Sequence, residues 1–398
     1  MNILAIAAFD PMPDRSTGDL RFFELLKGLA KEHEVHFCAF NRVKWVSEAE
    51  TNTYRAALEQ SGVTVHDRNP IAAIKSGRFD VILFEFYFAA KSYIDEARYW
   101  QPAATILVDS VDIHFHRLFA KARLTRADQD YAVARDMKVR ELATYRKADV
   151  VITVSEADGE ILRCEGQGLP VEVVPLIQPV PPLADSLGKD PHSLLFIGNF
   201  HHDPNVDAIL YFCDNILPLI TREVPDIKVT IVGNGPPEQI KRLAGKNVDV
   251  LGFVPDIKPI LGASAISIAP LRYGGGIKGK ICEAMAYGLP VVTTSVGTEG
   301  MALSPGENVL VGDTAEEFAN AVVRLIRERG MYESVRTAAW AFVNDHYSVV
   351  AVSRRIQELA NRLDNYPVKK LSPAKALGKA VRYHFDRHIS WRLKQAKE

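Results

Sequence analysis

The chain has 398 residues, of which 47% are apolar and 24% charged. That exceeds one ordinary hydrophobic core and suits a soluble protein of two domains. A net charge of -1 excludes a global attraction to nucleic acid, and four cysteines without CxxC or zinc-type spacing read as reduced, mostly buried thiols of a cytoplasmic protein.

"MNILAIAAFD" is apolar, lacks a basic n-region and meets Asp10 early, so it reads as a first strand and not as a signal peptide. The most apolar internal run, Val81 to Ala90, contains Glu85 and is too short to span a bilayer. After the first strand comes the loop "FDPMPDRSTGDLR", then a helix with Phe22, Leu25, Leu26 and Leu29 at helical spacing. "HEVHFCAF", "DVILFEF", "ATILVDS" and "ADVVITVS" follow, each a short apolar run after a helical stretch. This alternation implies a parallel sheet covered on both faces. The Pro-rich stretch "PVPPLADSLGKDP" has no apolar periodicity and reads as a linker. Beyond it "SLLFIGNF", "DIKVTIVGNG", "VDVLGFV" and "AISIAP" repeat the same grammar. The expected fold is α/β, with two Rossmann-like doubly wound domains facing a central cleft. The expected boundaries are a first domain at 1–178, a linker at 179–190, a second domain at 191–347, a further helix at 348–366 and a tail at 367–398. In each domain ligands should bind outside the carboxyl ends of the strands.

The densest local signal is "LRYGGGIKGKICEAMAYGLPVVTTSVGTEG", Leu271 to Gly300. It places Gly274, Gly275 and Gly276 on a strand-to-helix turn, with Lys278 and Lys280 beside them. Glycines let the backbone approach a ligand, successive N–H groups form an anion nest, and a helix N-terminus adds positive charge. Together with two lysines these suit a diphosphate. Glu283, one turn into the helix, would repel phosphate, so its natural partners are the hydroxyls of a ribose or sugar. A nucleotide-sugar carries both groups. Glutamates of first turns also simply complement the helix dipole, and that bland reading stands beside the functional one. The chain has no GxxxxGK[ST], and no GxGxxG follows the first strand, which argues against a P-loop and against an NAD site.

These residues, with "IVGNGP" and "VLGFVPDI" in order before them, resemble the donor-site motif of retaining GT-B glycosyltransferases, specifically glycosyltransferase family 4. The resemblance covers most of the chain, more loosely in the first half. It implies that the second domain holds a nucleotide-diphosphate sugar and the first an acceptor, with no cofactor and no metal. It also implies that the helix at 348–366 packs back on the first domain. Carried over by position, Glu283 matches the ribose glutamate, and Lys278 and Lys280 face the diphosphate. Gly233 and Gly235 line the nucleotide floor, Phe253 and Val254 frame the base, and Gly297 to Gly300, with Glu299, lie near the diphosphate or sugar. Gly18 matches a glycine of the first loop, with Arg21 one turn on. "VDSVDIHFHR" supplies His114 as the expected active-site histidine, with His116 and Asp112 as further sugar or acceptor candidates; ordinary polar loop residues are the alternative. Two features depart from the pattern. Gly275 stands where many members carry a second glutamate that contacts the sugar, and "IGNFHHDPN", with His201 and His202, lacks the usual Arg and Lys.

The reaction implied is transfer of a sugar to a glycan or lipid-linked glycan, as in cell-surface polysaccharide biosynthesis. Retention follows from the resemblance, whereas inversion would need His114 or Asp112 as a true base. A nucleotide-sugar epimerase and a non-catalytic sugar-nucleotide-binding subunit are the alternatives. Residues 367–398 carry nine Lys or Arg against two acidic residues. Leu377, Val381, Phe385, His388 and Leu393 fall near one helical face, with Tyr383 and Trp391 nearby. Such a basic amphipathic segment suits the inner face of a membrane, a solvated tail or a subunit contact.

Overall fold

A computed structural model describes residues 1–186 and 188–385. Two parallel sheets organise it. The first contains β1 (Asn2–Ala7), β2 (Glu34–Ala39), β3 (Val63–Val65), β4 (Val81–Glu85), β5 (Thr105–Asp109), β6 (Val150–Thr153) and β7 (Val171–Val173), in the order β3-β2-β1-β4-β5-β6-β7. The second contains β8 (Ser193–Ile197), β9 (Lys228–Val232), β10 (Val248–Gly252), β11 (Ile266–Ala269), β12 (Val291–Thr293) and β13 (Leu310–Val311), in the order β10-β9-β8-β11-β12-β13. Strands such as "VILFE" and "TILVD" are buried along their whole length, which is why they are apolar without alternation. The order reverses beside β1 and β4 in one sheet and beside β8 and β11 in the other. Loops leaving these strands diverge to opposite faces and open a crevice at each sheet's carboxyl edge.

Helix caps follow local chemistry. The Ser16 hydroxyl accepts from the Asp19 N–H and starts the Thr17–Leu29 helix, which buries Phe22, Leu25 and Leu26. Thr314 and Glu317 form a capping box for Ala315–Arg327. Gly288, at φ 67°, ends the Gly279–Ala286 helix in a conformation that costs a side chain but not glycine.

The linker lies against the second domain, where Trp340 Nε1 donates to the Pro181 carbonyl at 2.9 Å. The chain then crosses back. The Gln178 N–H donates to the Tyr347 carbonyl at 2.8 Å, so the outgoing and returning segments run side by side. The returning helix, Val349–Arg362, inserts Val352, Ile356 and Leu359 into the first domain's core. Of the four thiols, Cys164 alone is exposed.

A last described helix, Pro373–Phe385, docks on the Phe86–Trp100 helix. Its cationic side is the one turned inward: Lys375 pairs with Asp95 at 3.2 Å, Lys379 pairs with Glu96, and Tyr383 stacks on Tyr99. Leu377 and Val381 point away and are 67% and 61% exposed. His388, Trp391 and Leu393 lie outside the described residues, as does the side chain of Phe385.

Candidate functional site

A cavity of about 990 Å³ opens at the switch point of the second sheet and is roofed by the first domain. The second domain contributes the loops after β8 and β11, and the first contributes Pro13 to Thr17. Seven of the residues expected from sequence line it: Phe253, Val254, Gly274, Gly275, Lys278, Lys280 and Glu283.

Lys278 is only 6% exposed. Its Nζ donates to the Gly276 carbonyl at 2.8 Å and lies 3.8 Å from Glu299. Burial lowers its pKa, against the pull of Glu299, Asp158 and Asp112. Lys280 donates to Asn205 Oδ1 and sits 4.8 Å over the Phe196 ring. Burial, with Lys278 beside it, pushes Lys280 down to about 7. Glu283 is raised to about 7 by burial alone. The free site thus holds two cations under strain from lost hydration and one carboxyl near its titration point. An anion beside the lysines relieves the first, and hydroxyl donors at Glu283 relieve the second.

The other expected residues stand further back. The glycines are spacers between surfaces. A Cβ at Gly233 would collide with the Gly198 carbonyl, and one at Gly235 (φ 65°) would come within 2.6 Å of His201 Nε2. Gly297 is packed against Thr293 in the same way. Gly18 has ordinary clearance, with Val111 Cγ1 at 3.7 Å. Gly276 and Gly279 instead face the first domain: a Cβ at 276 would lie 3.3 Å from the Val111 carbonyl, and one at 279 would collide with Thr17.

Arg21 corrects the sequence reading. It is wholly buried, with Nη1 2.5 Å from Asp109 and Nε and Nη2 bound to the carbonyls of Val174 and Pro175. It is fully buried and bound inside the first domain, so it is no sugar or acceptor contact.

His114 begins the His114–Thr125 helix, and its Nδ1 lies 3.2 Å from Glu141 Oε1. Glu141 is buried and also accepts from the Phe115 N–H and the Tyr145 hydroxyl. A carboxylate acceptor requires the proton on Nδ1, which leaves Nε2 on the far side of the ring from Glu141. Tyr87 and Phe86 flank the ring edge-on at 5.1 and 6.0 Å. His114 is therefore held rigidly beside the cleft, outside the main cavity wall. Burial lowers the His116 pKa. Asp112 takes a 2.7 Å hydrogen bond from Arg117. Burial pushes its carboxyl up, but Arg117 and His114 outweigh that and hold it below the usual range.

Several participants escaped the sequence reading. Asn205 and His202 line the cavity, and Asn205 Oδ1 accepts a hydrogen bond from Lys280 while its Nδ2 donates to the Asn199 carbonyl at 2.7 Å. Arg15 stacks 3.7 Å over Phe253, bridging the domains across the position expected to frame a base. Glu141 orients His114. Glu85 ends β4 with its pKa raised well above normal, by burial and then by Asp19 and Asp109, and the next residue, Phe86, takes φ 62°.

Residues 191–328 match the family model described as glycosyl transferases group 1. A Mycobacterium leprae phosphatidyl-myo-inositol mannosyltransferase is 30% identical over 187 residues, covering 42% of this chain and 48% of that protein. The crystal structure of Anabaena Alr3699/HepE in complex with UDP-glucose superposes with a TM-score of 0.66 at 16% identity, covering 91% of this chain and all of that one. The chain has the GT-B fold, and its residues 191–328 resemble the group 1 glycosyl transferases. Sucrose-phosphate synthase from Thermosynechococcus elongatus shares this GT-B fold, with a TM-score of 0.68 at 14% identity over 92% of this chain and all of that one. The chain spans under half the length of the curated relatives it matches. Among the described residues no helix is long and apolar enough to cross a membrane.

Proposed function

We propose that this protein transfers a sugar from a nucleotide-diphosphate sugar to a glycan or lipid-linked glycan, with retention. The observation that carries this reading is the cavity floor: the buried Lys278, the half-buried Lys280 and a glycine loop at a helix N-terminus, with the Glu283 carboxyl a turn away. The relatives' names and the UDP-glucose held by the Anabaena structure support it.

In this reading the diphosphate lies on Gly274 to Gly276 with Lys278 and Lys280, and Glu283 accepts from ribose hydroxyls. Bond breaking passes through an oxocarbenium-like state while charge grows on the departing phosphate. Lys278, Lys280 and the loop N–H groups meet that charge with fixed donors, and losing one costs roughly 3–4 kcal/mol of barrier. Because these cations meet it, turnover should persist in a chelator. His114, held by Glu141, positions sugar or acceptor through Nε2. The exposed Leu377 and Val381 rest on lipid and bring the first domain to a membrane-borne acceptor.

The test is thermal-shift binding to UDP-, GDP- and dTDP-sugars with wild type, Lys278→Ala and Glu283→Ala, followed by NMR of the product anomer. One donor should raise the wild-type melting temperature and lose its effect in both variants. No response to any donor sinks the reading.

A further inference from the structure

One point of the cleft brings together three anomalies from opposite domains. After β5 the chain turns through Val111, whose φ of 51° is a left-handed conformation that β-branched residues rarely adopt. Backbone strain of this kind persists only where the surroundings over-determine it. Here it directs Asp112 at the second domain. Asp112 Oδ2 is paired with Arg117, but Oδ1 is buried with no hydrogen-bond partner. An orphaned carboxylate oxygen is costly, and native structures seldom keep one without a use.

What Oδ1 lies against is the backbone of Gly275. A Cβ added at 275 would collide with Oδ1 and come within 3.1 Å of Arg117 Cβ. The space that a side chain at 275 would fill is therefore already filled, by a carboxylate delivered from the other domain. A side chain at 275 and the Asp112 carboxylate in this position exclude one another. Lys278, three residues on, is among the groups that feel this charge.

We propose that Asp112 reads a hydroxyl of the donor sugar across the bare Gly275 backbone. This rests on the donor-site reading above. With the diphosphate on the glycine loop and the nucleoside toward Phe253 and Glu283, the sugar must leave the loop on the side facing the first domain. A sugar hydroxyl is a neutral donor, the partner Oδ1 lacks. Arg117 keeps the carboxyl ionised and therefore purely accepting. Sugar recognition then belongs to the closed arrangement of the domains, since Asp112 reaches the loop only when they meet.

The experiment titrates UDP-glucose and GDP-mannose, each beside its free nucleoside diphosphate, into wild type, Asp112→Asn and Asp112→Ala/Gly275→Asp. Intact folding is checked by circular dichroism. The expected result for the donor that binds is a loss of about 10- to 100-fold in nucleotide-sugar affinity in Asp112→Asn, the value of one hydrogen bond to a charged group. Free nucleotide affinity should stay within about twofold, and the double variant, which moves the carboxylate to the other side of the same space, should recover part of the loss. A donor deoxygenated at the recognised carbon should bind wild type as weakly as the intact donor binds Asp112→Asn. Equal losses for sugar and free nucleotide would make Asp112 a domain latch and overturn the proposal, as would an unchanged sugar affinity. A wild type that binds neither nucleotide-sugar nor free nucleotide fails the donor-site reading itself, and the proposal falls with it.

Discussion

Replacing Lys280 with methionine should change how donor binding depends on pH, not merely how strong it is. Burial and the neighbouring Lys278 disfavour the Lys280 charge and push its pKa down to about 7. A bound diphosphate restores the ammonium and raises that pKa toward its ordinary value. Binding therefore takes up a proton above pH 7, and affinity falls by about tenfold at pH 8 relative to a permanently charged lysine. Glu283 works in the opposite direction. Burial raises it to about 7, and ribose hydroxyls favour the carboxylate, so binding releases a proton below pH 7 and affinity falls by about tenfold at pH 6. Wild type should show a maximum near neutrality. A nucleotide-sugar has no secondary phosphate ionisation in this range, so the limbs belong to the protein. Calorimetry in buffers of different ionisation enthalpy reads both affinity and proton count. Lys280→Met should bind more weakly and lose the alkaline limb, and Glu283→Gln should lose the acid limb. An affinity that stays flat from about pH 6 to 8, or a Lys280→Met variant with both limbs intact, would refute the argument.

Gly279→Ala should hold the cleft open, because its Cβ collides with Thr17; small-angle scattering should show expansion and turnover should fall by about 100-fold, with Thr17→Gly restoring it. Unchanged turnover would mean that the two loops part freely. Arg21→Met leaves Asp109 buried without its counter-charge, and urea unfolding should show a loss of about 3–5 kcal/mol. Glu141→Gln should lower turnover while leaving free nucleotide affinity unchanged, since Glu141 touches His114 and not the cavity floor. Leu377→Glu with Val381→Glu should abolish co-sedimentation with anionic vesicles while leaving the melting temperature unchanged, because both side chains face away from the protein.

What sequence could show was local. The buried strands announced themselves as unbroken apolar runs, and the glycine–lysine–glutamate stretch is contiguous in the chain as well as in space. Whatever depended on distant pairing was hidden. Arg21 looks like a surface residue until Asp109, 88 residues away, is brought beside it. Nothing in "TGDL" tells that Thr17 will meet Gly279. The stretch "NVDAILYFCDNILPLI" reads as one helix, yet it contains a wider π turn at Phe212–Ile216 just before Pro218, whose missing N–H breaks the regular ladder. The Pro373–Phe385 helix carries both lysines and apolar residues, but periodicity cannot say which face turns inward. Asp95 and Glu96 decide that by drawing in the lysines.

The returning helix has a consequence for the order in which the molecule can be made. The first domain is translated first, but Val352, Ile356 and Leu359, which complete its core, follow the whole second domain out of the ribosome. Until they arrive, the Thr17–Leu29 helix lacks the part of its cover that the returning helix supplies, and the second domain must be synthesised in the meantime. The nascent first domain therefore waits, incomplete, through the whole synthesis of its neighbour, and a chain stopped at residue 347 would carry a finished second domain joined to an unfinished first one.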